Sequence, residues 1–351
     1  MQQDSTGTKT AQHDTIHDRR RDSRISYTLA PLRCGDMTQT VTIGIPTYNR
    51  ADRYLRPAIE CALAQTWDNL EIIVSDNHST DKTMEVVCSY DDSRLRYVRQ
   101  ETNIGPNNNF NYCVNNAAGN YFLLFHDDDA IDPDMVSSCM AVVGDDANVG
   151  LIRTGTRLID DDGRVIREIP NRAAGMGYNE YFRAWMRDGV TGYVCSTLFN
   201  TRMLREIGGF QSANGLYQDI IVAAKLMARG GRADVEEVKA SFRRHDDNYG
   251  NTAGLSAWCE DASEAAQTIA SEAKYDGEAL HREALRYLSK LLYRKVGRII
   301  PDRADRFQAY RLISRELDGA YPWHEYLYQQ TIGMRLRPVR QLARRWVRGS
   351  A

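Results

Sequence analysis

The sequence predicts an α/β fold with a mostly parallel central sheet and a helical C-terminal region. Three observations lead to this prediction. Short β-branched or apolar segments alternate with segments of helical periodicity between residues 41 and 125. Two of these strand segments, 70–76 and 120–125, are almost continuously apolar, as expected when helices cover both faces of a sheet. From about residue 254 onward, apolar residues recur at helical spacing.

The sequence pattern in the first half of the chain predicts four strands joined by three helices. The strands are VTIGIP (41–46), LEIIVSD (70–76), RLRYVRQ (94–100) and NYFLLF (120–125). The first helix carries Leu55, Ile59, Ala62 and Leu63 at helical spacing. The second covers residues 79–90 and begins with residues that favour a helix N-cap. The third covers residues 106–119, with proline at its start and glycine at its end. This alternation implies right-handed βαβ units, whose ligands bind beyond the carboxyl ends of the strands.

The second half predicts mixed strands and loops, then helices. Residues 151–250 contain one clear helix, from Gln218 to Arg229. One helical face in 280–299 carries Leu280, Ala284, Leu288, Leu291, Leu292 and Ile299. Pro301 starts another helix, predicted to bury Phe307, Ile313 and Leu317. We therefore expect a disordered segment at 1–37, whose residues 1–36 are dispensable, a domain at 38–250 and a helical region at 251–351.

Composition excludes several classes of protein. The chain of 351 residues is 42% hydrophobic and 26% charged, with a formal net charge of −2, so no overall field favours nucleic acid. No window approaches 18 apolar residues, and the N-terminus lacks the apolar stretch of a secretory signal. The seven cysteines are widely spaced without a Cys-x-x-Cys, which is typical of reduced thiols in a cytosolic protein.

Three consecutive carboxylates, Asp127, Asp128 and Asp129, follow the fourth predicted strand. Like charges this close repel one another, and a divalent cation would neutralise them. Magnesium and manganese prefer oxygen ligands and complete their shell with substrate phosphates. On an extended segment Asp127 and Asp129 point one way and Asp128 the other. A solvated acidic turn explains the spacing equally well, and both interpretations stay open here.

Several short motifs occur in one order between residues 40 and 250. They are Pro46-Thr47-Tyr48-Asn49, Gln65-Thr66, Asp76-Asn77-His78-Ser79-Thr80-Asp81, Asn103 with Gly105, Gly119 before the acidic triplet, Pro133-Asp134, and Gly208-Gly209-Phe210 before Gln218-Asp219. In this order they resemble the family 2 glycosyltransferases, whose GT-A fold is a nucleotide-binding α/β sandwich. The chain has Ser75-Asp76 and Gln218-Asp219 where the family often has Asp-Asp and Glu-Asp. In both places the functionally assigned aspartate is retained.

The resemblance implies a donor site, a metal site and a general base. The donor-binding residues would be Pro46, Thr47, Tyr48, Asn49, Asp76, Asp127 and Asp128, with Asp76 on the base of the nucleotide. The ligands of Mn²⁺ or Mg²⁺ would be Asp127, Asp129 and His245, with Asp129 the direct ligand. Asp219 would be the base, although a helix cap would explain it without the resemblance. His126 is assigned no role and is treated as structural.

The implied function is inverting transfer of a sugar from a nucleoside diphosphate sugar to an acceptor hydroxyl. The donor is expected to be a uridine or deoxythymidine diphosphate sugar, and the acceptor a polysaccharide, a glycolipid or a lipid-linked glycan. A nucleotidyltransferase is one alternative, but it needs a glycine-rich basic loop after the first strand, which PTYNRADRYL is not. A non-catalytic relative is another alternative, although loss of the triplet or of Asp219 would be expected in one.

The end of the chain predicts a basic amphipathic helix at 334–351. Residues 333–351 contain six arginines and no acid, and apolar residues after Pro338 recur on one helical face that includes Trp346. This pattern is typical of a helix that lies in an anionic membrane surface. A terminal helix packed on the protein's own acidic surface is an equal alternative. We therefore expect a cytoplasmic protein, peripheral at the inner face of the plasma membrane.

Overall fold

A computed structural model describes residues 39–245 and 253–328 of the chain. The predicted N-terminal segment and the basic helix predicted at 334–351 lie outside these residues. Within them the chain forms nine strands: β1 (Val41–Thr47), β2 (Leu70–Asp76), β3 (Leu95–Arg99), β4 (Tyr121–Leu124), β5 (Ala130–Ile131), β6 (Leu151–Ile159), β7 (Val165–Ile169), β8 (Thr197–Asn200) and β9 (Arg232–Arg243).

Besides helical residues at 323–328, the same residues form ten α-helices. They are α1 (Arg56–Leu63), α2 (Thr83–Cys88), α3 (Pro106–Asn116), α4 (Met135–Val143), α5 (Tyr178–Trp185), α6 (Thr201–Glu206), α7 (Gln218–Gly230), α8 (Leu255–Ser271), α9 (Gly277–Ile299) and α10 (Arg303–Glu316). A short π-helical turn, Ala51–Leu55, precedes α1. Helix α2 is shorter than predicted because residues 77–82 form a loop, in which the Asp81 carboxylate accepts a hydrogen bond from the Thr83 amide at 3.0 Å.

The strands form one sheet in the order β3-β2-β1-β4-β8-β6-β9-β5, with β7 paired to β6. The first four strands in this order are parallel, as predicted. Register places Thr47 beside Asp76, and Asp76 beside Arg99. The carboxyl ends of β1, β2 and β3 therefore meet at one edge, and the acidic triplet follows β4 at the same edge, where ligands of parallel sheets bind.

Two apolar cores cover the two faces of the sheet. Helices α1 and α4 pack with β1 on one face. Helices α3, α5 and α7 to α10 share the core of the other face, so the C-terminal helices pack directly on the sheet domain. Gly44 allows α3 its close approach, since a Cβ there would lie 2.7 Å from the Cβ of Cys113 and from the ring of Phe122. Within the described residues, no helix has the length and apolar character needed to cross a bilayer.

Three details of the second half differ from the sequence-based expectation. Residues 151–250 contain α5 and α6 as well as the predicted α7, so the prediction of a single helix was wrong. Ile299, at the end of α9, is 57% exposed. Phe307 is 40% exposed and rests against the ring of Trp323, whereas Ile313 and Leu317 are buried as predicted. Ile299 is the last residue of α9, and Phe307 lies in the second turn of α10.

Candidate active site

The acidic triplet follows β4 and is held by hydrogen bonds from two other strands. The Thr47 hydroxyl, at the end of β1, donates to Asp127 with an Oγ1–Oδ2 distance of 2.7 Å. The Arg243 amide, at the end of β9, donates to Asp129 Oδ1 at 2.9 Å. Both carboxylates are buried, at 8% and 3% exposure. The sheet therefore fixes two carboxylates of the triplet from opposite sides.

Asp128 points to a different set of partners. The His245 Nε2 atom lies 2.8 Å from Asp128 Oδ2, within hydrogen-bonding distance. The His245 ring stacks on Tyr54, with a centroid distance of 5.3 Å, and the Tyr54 hydroxyl donates to Asp161. Asp128 thus faces different partners from Asp127 and Asp129, but the prediction of an extended segment was wrong, because residues 126–129 form a turn in which the Asp129 amide donates to the His126 carbonyl oxygen at 3.2 Å. His245 thus joins the triplet through Asp128.

Burial and mutual repulsion shift the carboxylates of the triplet in different directions. Burial, with the negative charge of Asp128 added, raises the pKa of Asp127 to about 7. The same two causes raise the pKa of Asp129 well above its usual range. Burial also acts on Asp128, but the hydrogen bond with His245 and the nearby histidines outweigh it and lower the pKa of that carboxyl. Such a cluster is more stable when a cation balances its charge.

The side chains around the triplet fit a divalent cation. Among the described residues, His126, Asp128 and Asp129 each offer one ligand atom, and these atoms lie within 4.8 Å of one another. Asp129 Oδ2 and His126 Nε2 are buried and make no hydrogen bond. A buried carboxylate oxygen and a ring nitrogen without partners are unfavourable unless a further ligand completes them. These carboxylate and imidazole ligand atoms suit Mn²⁺ or Mg²⁺.

This group overlaps only partly with the predicted ligands Asp127, Asp129 and His245. Asp129 belongs to both sets, Asp127 is bonded to Thr47, and His245 contacts the triplet through Asp128. The predicted ligand set therefore stays a prediction. His126, treated above as structural, packs its ring against Phe110 at 5.1 Å and borders the same space. The position of His126 between β4 and the triplet was the feature of the sequence that could have indicated a place at this site.

The Asp76 carboxylate lies at the end of β2 and is almost fully buried, at 1% exposure. Its Oδ1 atom accepts a hydrogen bond from the Ser79 amide at 2.8 Å, and its Oδ2 atom accepts one from the Tyr97 hydroxyl at 2.6 Å. The Arg99 Nε atom is 3.7 Å from the same Oδ2. These contacts fix the orientation of a carboxylate that still has lone pairs free to accept from a ligand.

The loop that follows β1 is tied to the loop that follows β2. Pro46 lies within β1, and the Asn49 amide donates to the Ser79 hydroxyl at 2.9 Å. The Asn49 side chain accepts from the Thr80 amide at 2.8 Å, and its positive φ of 53° turns the chain. Tyr48 is 45% exposed at this edge, so its ring is available to a flat ligand. The predicted donor-binding residues are thus brought together.

Asp219 lies in the first turn of α7, and it lines a different space from the one that the triplet lines. Its carboxylate accepts from the Ile220 amide at 2.8 Å. Burial raises the pKa of Asp219 to about 6, so the group is ionised at neutral pH yet more basic than an ordinary aspartate. It lines a cleft of about 710 Å³ between residues 190–193, the loop before α7, and helices α8 and α9.

Comparison of the chain with known proteins identifies the family of one of its domains. The family described as Glycosyl transferase family 2 matches residues 42–208. The chain carries a family 2 glycosyltransferase domain. Over 192 residues it is 34% identical to an uncharacterized glycosyltransferase of Rickettsia felis, covering 53% of this chain and 31% of that protein. Over 209 residues it is 29% identical to the succinoglycan biosynthesis protein ExoO of Rhizobium meliloti, covering 57% of this chain and 59% of that protein.

Solved structures show the GT-A fold of this glycosyltransferase domain. TarS of S. aureus, residues 1–349 in complex with UDP-GlcNAc, matches with a TM-score of 0.61 and 19% identity, covering 81% of this chain and 82% of that one. The mannosyltransferase PcManGT of Pyrobaculum calidifontis, in complex with GDP-Man and Mn²⁺, matches with a TM-score of 0.54 and 18% identity. That match covers 86% of this chain and 82% of the mannosyltransferase. At these identities the likeness concerns the fold alone.

The loop before Asp219 is held by one buried carboxylate of the helical C-terminal region, Asp261 in α8. Asp261 has no exposed surface. It accepts hydrogen bonds from the Ser212 hydroxyl at 2.6 Å, from the Asn214 amide at 2.7 Å and side chain at 2.9 Å, and from the Leu216 amide at 2.7 Å. The helical region thus anchors the segment that leads into α7. No motif indicated this role, because acceptor and donors lie 45 to 49 residues apart.

We expect Asp261→Ala to lower the free energy of unfolding by about 3–5 kcal/mol, because several buried donors lose their charged acceptor. Asp261→Asn should fall between this variant and the parent, since its amide oxygen still accepts. Urea unfolding at pH 7 measures the difference. Glu264→Ala is the matched control, because Glu264 accepts one bond from the Ala213 amide at an exposed position on the same helix. An equal loss in both variants would contradict the anchoring role of Asp261.

Proposed function

We propose that the protein is an inverting glycosyltransferase that moves a sugar from a nucleoside diphosphate sugar to an acceptor hydroxyl. The observation that carries this proposal is the pairing of two carboxylate sites at the same end of the sheet. One is the buried triplet at 127–129, and the other is Asp219, with its pKa raised to about 6. A metal-assisted leaving group and a single base are what an inverting displacement needs.

Asp219 serves as the general base in this proposal. As the acceptor oxygen forms its bond to the anomeric carbon, the hydroxyl proton passes to the Asp219 carboxylate. The bond from that carbon to the diphosphate breaks at the same time, and the nucleoside diphosphate leaves with the electron pair. Because one displacement inverts the anomeric centre, a second carboxylate nucleophile is unnecessary. The amide of Ile220 holds one oxygen of the base in place.

Residues of the triplet would hold Mn²⁺ or Mg²⁺ beside the diphosphate. Asp129 is common to the predicted ligand set and to the group with His126 and Asp128. When bound, the cation supplies electrostatic stabilisation of the charge that grows on the leaving group. The fixed contacts of Asp127 with Thr47 and of Asp129 with Arg243 keep these oxygens oriented. The Mn²⁺ in the mannosyltransferase of the same fold supports divalent metal use here.

The donor would bind along the carboxyl ends of β1 and β2. Asp76 would accept a hydrogen bond from the base of the nucleotide, and the exposed ring of Tyr48 would pack on it. The complexes of TarS with UDP-GlcNAc and of PcManGT with GDP-Man support a nucleotide-sugar donor. A uridine or deoxythymidine donor remains our proposal. We also propose that the acceptor is a glycan or a lipid-linked glycan in polysaccharide synthesis. We further propose that the protein acts in the cytoplasm, at a membrane surface that residues 334–351 bind.

The alternatives are less well supported. A nucleotidyltransferase would require a basic, glycine-rich loop after β1, and the loop there, Tyr48-Asn49-Arg50, contains no glycine. A non-catalytic relative would have no need for a base whose pKa is raised by burial. Asp219 retains this property beside an open cleft of about 710 Å³.

A thermal-shift experiment tests the proposal. At about 100 times its dissociation constant, a nucleoside diphosphate with Mn²⁺ should stabilise the full chain by about 2.7 kcal/mol, which is roughly 4 °C in Tm. UDP, GDP, ADP and dTDP are compared, each with Mn²⁺ and with EDTA. Mn²⁺ alone and inorganic diphosphate with Mn²⁺ are the controls. If none of the four nucleotides stabilises the protein beyond these controls, the proposed nucleoside diphosphate sugar donor is contradicted.

A further inference from the structure

The cleft beside Asp219 is lined by an excess of positive charge. Among the described residues, its carboxylates are those of Asp188 and Asp219. Its cations come from three separate parts of the chain, and they are Arg167 on β7, Arg244 after β9, and Arg294, Lys295 and Arg298 on α9. The whole chain has a formal net charge of −2, so this positive field is local.

The small cavity at the acidic triplet has the opposite charge. It has a volume of about 150 Å³, and Arg53 and Arg243 are its cations. The carboxylates on its wall are Asp127, Asp128, Asp129, Asp161 and Asp162. The two neighbouring spaces therefore differ in what they attract: the cavity favours a metal cation, and the cleft favours an anion. Arg244 lies beside His245 in the chain, whereas the other cations of the cleft belong to β7 and α9, which carry none of the residues proposed to bind the donor's metal.

Most of the cleft's arginines form no close ion pair with another described residue. The Arg294 Nη1 atom is 3.9 Å from Asp188 Oδ2, a long contact between two side chains that are about half exposed or more. Among residues 39–245 and 253–328, no ion pair is formed by Arg167, Arg244 or Arg298. All three are exposed at the mouth of the cleft. An anionic ligand would meet guanidinium groups that can donate paired hydrogen bonds.

Aromatic rings form the apolar part of the same wall. The rings of Tyr217 and Trp258 meet edge to face at 5.3 Å, and Lys295 Nζ lies 4.4 Å from the Trp258 centroid. Trp185 and Tyr287 meet in the same way at 4.8 Å. Flat rings beside convergent cations suit a ligand with an apolar face and a negative group. A sugar ring has such a face on its C–H side.

We propose that the acceptor is an anionic saccharide, bound in this cleft through its phosphate or carboxylate groups by Arg294 and Arg298 of α9 together with Arg167 and Arg244. A sugar ring packs on the aromatic wall and presents its hydroxyl to Asp219. This inference rests on the proposed function and adds the substrate class of the acceptor. Phosphate and carboxylate share the chemistry that the guanidinium groups recognise, and the experiment separates them.

Binding is measured by calorimetry on the full chain, with UDP and Mn²⁺ at saturation so that the donor site is filled. The probes are maltohexaose, maltohexaose 1-phosphate and hexagalacturonate, which are neutral, phosphorylated and carboxylated. We expect at least one anionic probe to bind about tenfold or more tightly than maltohexaose, as charge-assisted hydrogen bonds allow. The stronger of the two anionic probes identifies the preferred group.

Two variants with equal loss of charge locate the site. Arg294→Gln/Arg298→Gln should weaken binding of the anionic probe about tenfold and leave that of maltohexaose unchanged. Arg282→Gln/Arg303→Gln, which removes two exposed cations outside the cleft, should change either by less than about twofold. Equal binding of all three probes, or an equal loss in both double variants, would overturn the inference. Since UDP and Mn²⁺ binding is recorded in the same samples, such a failure leaves the proposed function standing.

Discussion

Asp219→Asn should reduce sugar transfer by about a hundredfold or more while the donor and metal still bind. An amide cannot accept the proton of the acceptor hydroxyl, and loss of a general base typically has an effect of this size. The Asn side chain keeps an oxygen that can accept from the Ile220 amide, so the start of α7 is retained. Initial transfer rates and calorimetric binding of UDP with Mn²⁺ measure the two effects separately.

The same variant should be more stable than the parent above pH 6. The native pKa of Asp219 is raised to about 6, so between its ordinary value and pH 6 the folded state binds more protons than the unfolded state. The parent therefore loses stability as pH rises through this window, and a shift of this size corresponds to at most about 3 kcal/mol. Because Asn has no charge to bury, its advantage in Tm should be larger at pH 8 than at pH 5.

Two further observations separate a base from a structural carboxylate. Transfer by the parent should rise with pH through about 6, as the carboxylate form of Asp219 accumulates, and Asp219→Asn should lack this limb. Asp145→Asn removes an exposed carboxylate on the loop after α4 and should leave the rate and the profile unchanged. Turnover of Asp219→Asn at the parent's rate would place the base elsewhere.

The parallel half of the fold was accessible from the sequence because its signals are local. Each strand of β1 to β4 is an apolar run of a few residues, and β2 has the predicted bounds Leu70–Asp76. The position of a carboxylate after such a run also places it in space, since parallel strands end at a common edge. For this reason the amino-acid sequence alone assigns Asp76 and the triplet at 127–129 to one edge of the sheet.

The rest depends on contacts between distant parts of the chain. Strand β6 pairs in parallel with β9 about 80 residues later, and no local pattern indicates this pairing. The bond between Asp128 and His245 spans 117 residues, and the one between Asp261 and Leu216 spans 45. Periodicity shows which residues share a face of one element. It does not show which other element covers that face, so the individual contacts of α9 in the cleft were not predictable.

Asp129→Asn should abolish metal-dependent nucleotide binding and leave the fold intact. The Asn carbonyl still accepts from the Arg243 amide, whereas the buried Oδ2 atom that lacks a partner becomes an amide nitrogen, which cannot bind a cation. Even changes next to a metal's ligands lower affinity roughly 10- to 100-fold, so loss of a ligand should exceed that range. Calorimetric titration of UDP in Mn²⁺ measures the effect, with EDTA as the metal-free baseline.

The response to pH gives a second readout of the same site. Burial raises the pKa of Asp127 to about 7 and that of Asp129 well above its usual range. The metal-free protein therefore loses stability as pH rises toward these values, and Mn²⁺ should raise the Tm of the parent more at pH 8 than at pH 5.5. Asp129→Asn should show a small Mn²⁺ response at both values.

Matched substitutions in the triplet decide between the two candidate ligand sets. If Asp127, Asp129 and His245 hold the cation, Asp127→Asn should lose Mn²⁺-dependent binding as fully as Asp129→Asn, and Asp128→Asn should be milder. The reverse order would favour His126, Asp128 and Asp129, whose ligand atoms lie within 4.8 Å of one another. Unchanged UDP affinity in Asp129→Asn would exclude both sets, since Asp129 belongs to each, and the buried triplet would then need another source of positive charge to balance it.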